Sequence, residues 1–135
     1  MTETHMHNDQ SIEQEIQAKG KTAPRVTPAD IEANIASEHY FTGAEGRYGA
    51  IINETYVGTE LPQIDDGDLE PLDLLTFCVL VLRNGFTVTG ESACASPENF
   101  DPEIGRKIAR QNAVNKVWPL MGYELRSQLA DRRGD

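Results

Sequence analysis

Cysteine is scarce in this sequence: 135 residues hold two, Cys78 and Cys94. Two thiols cannot build a disulfide framework, so a stapled secreted scaffold is excluded. Basic residues are also few, 12 Lys and Arg against 22 Asp and Glu, for a formal charge of −10. That balance speaks against a general nucleic-acid binder, because neutralising phosphates needs clustered cations. It speaks equally against a peripheral binder of anionic membranes. No apolar run is long enough to span a bilayer, the longest being Phe77 to Leu82. The first residues, Met1-Thr-Glu-Thr-His-Met-His, lack a basic-then-apolar signal pattern. A small, acidic, soluble, intracellular protein is what these shortages leave.

Chemistry-bearing motifs are equally thin. There is no Gly-rich phosphate loop and no zinc spacing. Gly90-Glu91-Ser92-Ala93-Cys94 resembles a nucleophile elbow, but Cys stands where the final Gly belongs, and the next helix begins seven residues later. Cys94 and His39 could be paired only by an arrangement that nothing in the sequence supplies. His5 and His7 could hold a metal only weakly, from a floppy arm. The Asp65-Asp66-Gly67-Asp68 cluster lacks the alternating oxygen ligands and terminal Glu of a calcium loop. No catalytic residue, metal or cofactor is expected, and the chain reads as a non-enzyme.

What is present is unevenly distributed. Residues 1–75 carry 15 acids and 4 bases, and residues 76–135 carry 7 acids and 8 bases. The excess negative charge lies in the first half, as in an acidic arm or loop joined to an ordered body. Residues 1–26 hold few large aliphatics and read as a disordered acidic arm with a transient helix around Ser11–Lys19. A single α+β domain is expected over 27–131, with an acidic loop around 58–73 and a tail at 132–135. Thr27-Pro28-Ala29-Asp30 supplies an N-cap, a first-turn Pro and a favourable charge, so a helix is expected from Pro28 to about Tyr40, stopped at Thr42-Gly43. Tyr48 to Val57 could be a strand.

The clearest signal lies between Leu74 and Ala93. Two β-rich runs flank Arg83-Asn84-Gly85, and Asn-Gly suits a type I′ hairpin turn. If Arg83 faces Phe86, then Leu82 faces Thr87, Val81 faces Val88, Leu80 faces Thr89 and Cys78 faces Glu91. One face then carries Phe77, Val79, Val81, Phe86 and Val88 as the core, and Val81→Asp should unfold the domain. The other face, Cys78, Leu80 and Leu82 beside threonines, is too apolar for free exposure and calls for a further strand or a partner chain. Asp101-Pro102-Glu103 opens a long helix to about Val117 or Trp118, with a shorter one from Leu120 to Leu129 after Pro119. Ile104, Ile108 and Trp118 form a bulky stripe, and Gly105, Ala109, Ala113 and Val117 a small-residue stripe nearly opposite. The hairpin can cover one stripe; the N-terminal helix or a second subunit covers the other. Leu80, Leu82, Ala109, Ala113 and Val117 are thus the expected homo-oligomer contacts.

Arg106, Lys107 and Arg110 form the dense basic cluster of the chain. They would suit an anionic small molecule or an acidic partner surface, or would pair with the protein's own acidic half. Together the elements give an α+β fold, a hairpin-centred antiparallel sheet of about three strands packed by a long C-terminal helix, plus an N-terminal helix and a short final helix.

Leu75 to Cys94, Asn99 to Ala109 and Asn115 to Leu120, with Thr27 to Ile31 and Ser37 to Thr42, resemble a family of small tailed-phage proteins. It is the gene product 49 and gene product 66 type, the phage N-four and S-f-six family. The resemblance implies phage origin, action in the host bacterial cytoplasm and no catalytic residues to carry over. Small non-structural phage proteins act mostly by binding. The expected function is therefore that of a host-takeover or anti-defence protein inhibiting a bacterial host protein, with Asp65, Asp66 and Asp68 in the contacting acidic surface. The alternatives are an oligomeric binder sequestering a phosphorylated or nucleotide ligand, and a DNA-associated protein, which the net charge disfavours.

Overall fold

The computed structural model describes residues 2–21, 23–57, 59–60 and 66–133. In chain order its elements are helices α1 (Thr2–Ala18) and α2 (Pro28–Ala33), strand β1 (Ile35–Thr42), helices α3 (Gly43–Ile52) and α4 (Asp66–Asp73), strands β2 (Leu75–Leu82) and β3 (Thr87–Ala93), and helix α5 (Pro102–Arg133). The strands form one antiparallel sheet in the order β1-β2-β3. Helix α5 lies along one face of it, mainly over β3 and β2. The α+β class with three strands and a long C-terminal helix is the one expected.

The hairpin turn sets everything else, and it differs by one residue from the expected one. Leu82 N–H donates to Phe86 O at 2.8 Å, and Gly85 N–H donates to Leu82 O at 2.9 Å. The loop is therefore Arg83-Asn84-Gly85, three residues long. Gly85 has φ +88°, while Asn84 is not in the left-handed region, so the two adjacent left-handed residues of a type I′ turn are not both present. Asn84 Oδ1 instead accepts from Phe86 N–H at 2.9 Å, bracing the loop locally. Leu80 now faces Val88, Val81 faces Thr87 and Cys78 faces Gly90.

Shifting the pairing by one residue exchanges the faces assigned to β2. Cys78, Leu80 and Leu82 are buried, together with Val88, against Ala109, Ala113, Val114 and Val117 of α5 and Ile31 of α2. Phe77, Val79 and Val81, expected as core, lie on the far face and are only half-buried. The same shift corrects the expected oligomer contacts. Leu80, Leu82, Ala109, Ala113 and Val117, assigned to a second subunit, belong to one core within the chain. The cover expected to be a further strand or a partner chain is α5 with α2, while β1 pairs beside β2 in the same sheet. Toward the other side of α5, Gln111 and Trp118 adjoin α1 and α2, so the N-terminal helices cover the Trp118 end of the bulky stripe, while Ile104 at its start is exposed.

Other elements differ for identifiable reasons. The helix expected from Pro28 to Tyr40 stops at Ala33, and Ile35–Thr42 pairs with β2 along its length. Tertiary pairing overrides the weak helical periodicity there. Arg83, at the hairpin end, ties the junction by donating from its backbone N–H to Asn34 O at 2.9 Å and from Nε to Ala33 O at 3.0 Å. Thr42, expected as a helix stop, is the N-cap of α3, with Glu45 closing a capping box; the strand expected over Tyr48–Val57 is helical to Ile52. The expected acidic loop turns helical at Asp66, and residues 58 and 61–65 lie outside the described ones. Helix α5 runs unbroken through Pro119. Proline leaves the Asn115 carbonyl without its helical donor, but both residues are solvent-exposed, where a lost helical bond costs little.

The arm expected to be disordered forms α1. Nη1 and Nη2 of Arg25 donate to the two carboxylate oxygens of Glu13, at 2.6 and 2.7 Å. The hydrogen bond from Arg25, with a second from Gln17, holds the Glu13 carboxyl down at about 2. A folded value below the ordinary 4.5 means that this contact stabilises the docked arm above the ordinary carboxylate range and is lost as pH falls toward 2. A carboxyl NMR titration should find Glu13 near 2 in the native protein and back in the ordinary range in Arg25→Gln. An unchanged titration in the variant would break the assignment.

Candidate functional site

Because α5 occupies one sheet face, the opposite face is where the chain presents apolar surface. Its centre is the other alternation of β2, Phe77, Val79 and Val81, all half-buried. Ser37, His39 and Phe41 of β1 flank it on one side and Thr87, Thr89 and Glu91 of β3 on the other. The Phe41 and Phe77 rings stack at 5.6 Å between centroids, tilted by 30°, a pairing favourable beyond its buried area. Helix α3 meets the face at this end, and a Cβ on Gly46 would lie 3.8 Å from the Phe41 ring. On α3 itself Tyr48 and Ile52 are exposed. The ionisable groups these strands place on the face are Glu91 and His39, and His39 Nε2 is 3.1 Å from Ser37 Oγ. The result is an apolar strip with a polar border and little charge of its own.

The basic cluster of α5 has a different fate at each position. Arg110 is committed within the chain. Its Nη2 and Nη1 donate to Glu32 of α2 at 2.7 and 3.2 Å, and its Nε donates to Glu38 of β1 at 3.2 Å. Tyr40 Oη donates to the other Glu38 oxygen at 2.8 Å. Burial pushes Glu38 up, but Tyr40 and Arg110 outweigh it and hold the carboxyl below its ordinary range. Burial, reinforced by the bond to Glu38, pushes the Tyr40 phenol well up, and the bonds that Arg110 donates to Glu32 hold it firmly protonated. One cation clamps two elements to α5 here. Lys107 sits 3.6 Å from Glu103 on the exposed side of the helix. Arg106 is exposed and has no hydrogen bond or ion pair among the described residues. So the three do not form one anion site, and pairing with the acidic half is what Arg110 does. Glu32, Glu38 and Tyr40 were not singled out as a site from sequence; they lie some seventy residues away from Arg110, and only the β1–β2 pairing brings them to it.

The remaining candidates are dispersed. Ser92 sits within β3 opposite Thr76, in regular strand pairing and not at a sharp turn. Cys94 lies at the far end of β3 beside Leu74, whereas His39 lies mid-way along β1 on the opposite edge of the sheet. The Cys94 thiol donates to Ser96 O at 3.1 Å, and both cysteines are free. Among the described residues no three His, Cys, Asp or Glu side chains are placed to hold a metal ion. Asp65 lies outside the described residues; Asp66 and Asp68 lie in α4, and their side chains, like those of His5 and His7 in α1, are outside the described ones. No helix among the described residues is long and apolar enough to cross a membrane. A family model for a phage protein (N4 Gp49/phage Sf6 gene 66) family matches residues 26–129. No curated protein and no solved structure matches the chain.

Proposed function

The chain belongs to the phage protein (N4 Gp49/phage Sf6 gene 66) family, and from that premise we propose that it acts by binding and not by catalysis. It is a non-enzymatic accessory protein of the host-takeover or anti-defence kind, which docks on a bacterial host protein in the host cytoplasm and inhibits it. The observation that carries this reading is the half-open apolar strip of Phe77, Val79 and Val81, extended by the exposed Phe41. Burying such a strip against a partner gains on the order of 25 cal/mol per Å², while a net charge of −10 steers the chain toward a basic surface. The partner best suited is thus a protein with an apolar patch rimmed by Lys and Arg.

The test is a comparison of native protein with Val79→Glu as baits in host lysate at low and high salt. Val79 faces outward, so the variant should fold and melt as the native chain does while losing the partner. Capture by the native bait should weaken with salt. If both baits capture the same set, or if the complex is indifferent to salt, this face does not carry the function.

A further inference from the structure

A second feature lies at the end of the sheet where β1 passes into α3 and α5 begins. A cleft of about 500 Å³ opens there, lined by Tyr40, Phe41, Asp73, Thr76, Phe100 and Arg106, with Glu45 at its edge. That volume is in the range of small-molecule sites. Two of its lining residues adjoin Gly105 of α5: a Cβ there would lie 3.0 Å from Thr76 Oγ1 and 3.8 Å from the Phe100 ring.

Thr76 is the unusual member. It is only 3% exposed, and its hydroxyl has no hydrogen-bond partner among the described residues. A buried hydroxyl left unpaired is unfavourable, and native proteins hold few such groups without a use for them. Arg106 is unpaired in the same cleft, as is Asp73 among the described residues. Glu45 is already used, since one of its oxygens accepts from Thr42 N–H at 2.8 Å.

We propose that this cleft binds a small zwitterion with an aromatic or apolar side chain, that is, a free amino acid. The guanidinium of Arg106 suits a carboxylate, which it can hold through two parallel bonds. Asp73 suits an ammonium, the rings of Phe41, Phe100 and Tyr40 suit a flat apolar side chain, and Thr76 supplies a hydroxyl for either polar end. A phosphorylated ligand fits less well, because one arginine would have to outweigh two carboxylates. The cleft shares Phe41 with the docking strip, but Asp73, Thr76, Phe100 and Arg106 lie outside the strip.

The experiment is a titration of the full chain, labelled with ¹⁵N, with L-phenylalanine, hydrocinnamate, phenethylamine and inorganic phosphate. L-Phenylalanine should shift the amides of Thr76, Gly105 and Arg106 saturably, and each of the other three probes should bind more weakly. Arg106→Gln should weaken phenylalanine binding by about tenfold. Thr76→Val, which removes the hydroxyl and keeps the shape, should weaken it several-fold with the Tm unchanged or higher. The proposal is overturned if phenylalanine gives no saturable shift up to ~10 mM, if Arg106→Gln binds it as well as the native chain, or if phosphate binds more tightly.

Discussion

Gly90→Ala is expected to be among the most damaging single-methyl changes in this chain, lowering Tm by on the order of 10 °C or leaving the protein insoluble. Gly90 is the core-facing residue of β3 over which α5 passes. A Cβ added there would stand 2.9 Å from Ala113 Cα and closer still to the Ala109 carbonyl oxygen and the Ala113 amide nitrogen. All three are backbone atoms of α5, so no side chain can rotate away. Relief requires the helix to lift off the sheet, which would open the contacts of Ala109, Ala113 and Val117, each 0% exposed. Trimming Ala113 to Gly should therefore fail to rescue Gly90→Ala, whereas a side-chain clash would be rescued. Gly122→Ala is the matched control, since a Cβ there meets nothing within 4 Å and helix propensity favours alanine by up to about 1 kcal/mol. Thermal melts of the three variants decide it. A Gly90→Ala protein as stable as the native chain would mean that α5 is not seated where it is described.

This close approach also explains the small-residue stripe. Gly105, Ala109, Ala113 and Val117 were readable from sequence as a face that lets backbones come near, but not which backbone comes near. The answer depended on the hairpin register. Arg83-Asn84-Gly85 has the composition of two turns, a two-residue loop with both central residues left-handed or a three-residue loop with Gly85 alone left-handed. Sequence pattern does not separate them, because β2 is apolar on both faces: Phe77, Val79 and Val81 alternate with Cys78, Leu80 and Leu82. In a strand with one polar face the slip would have been visible. A glycine at a core-facing strand position marks a close backbone approach, but Gly90 shares the face of Val88 in either register, opposite Val79 in one and Cys78 in the other, so it does not separate them. Residues 34–42 were ambiguous for another reason. Ile31, Ile35 and Tyr40 fit a helical face almost as well as a strand, and it is pairing with β2, a long-range event, that selects the strand. Thr42-Gly43-Ala44-Glu45 was legible as a capping box and would have placed α3. The committed Arg110 was not legible in this way. Its charge was plain, but its availability was a property of Glu32 and Glu38.

The register predicts opposite outcomes for two neighbouring substitutions. Leu80→Asp is expected to abolish folding, and Val81→Asp to leave a soluble domain that melts cooperatively. Leu80 is 0% exposed and pairs with Val88 on one side and Glu38 on the other. A carboxylate there would be buried beneath α5 with no cation assigned to it, because Arg110 is already shared between Glu32 and Glu38. Burying an unpaired charge costs several kcal/mol, comparable with the whole stability of a domain this size. Removing the side chain alone, in Leu80→Ala, should cost about 2–5 kcal/mol, which a denaturant midpoint can measure if the Asp variant yields no soluble protein. Val81 projects to the opposite face between Ser37 and Thr87, where an aspartate keeps contact with water and loses mainly strand propensity, about 1 kcal/mol. The alternative register, with Val81 opposite Val88, predicts the reverse order of damage. Circular dichroism melts of the pair therefore distinguish two structures that differ by a single residue of pairing. They also bear on the docking strip, because only the register with Val81 outward leaves Phe77 and Val79 facing a partner.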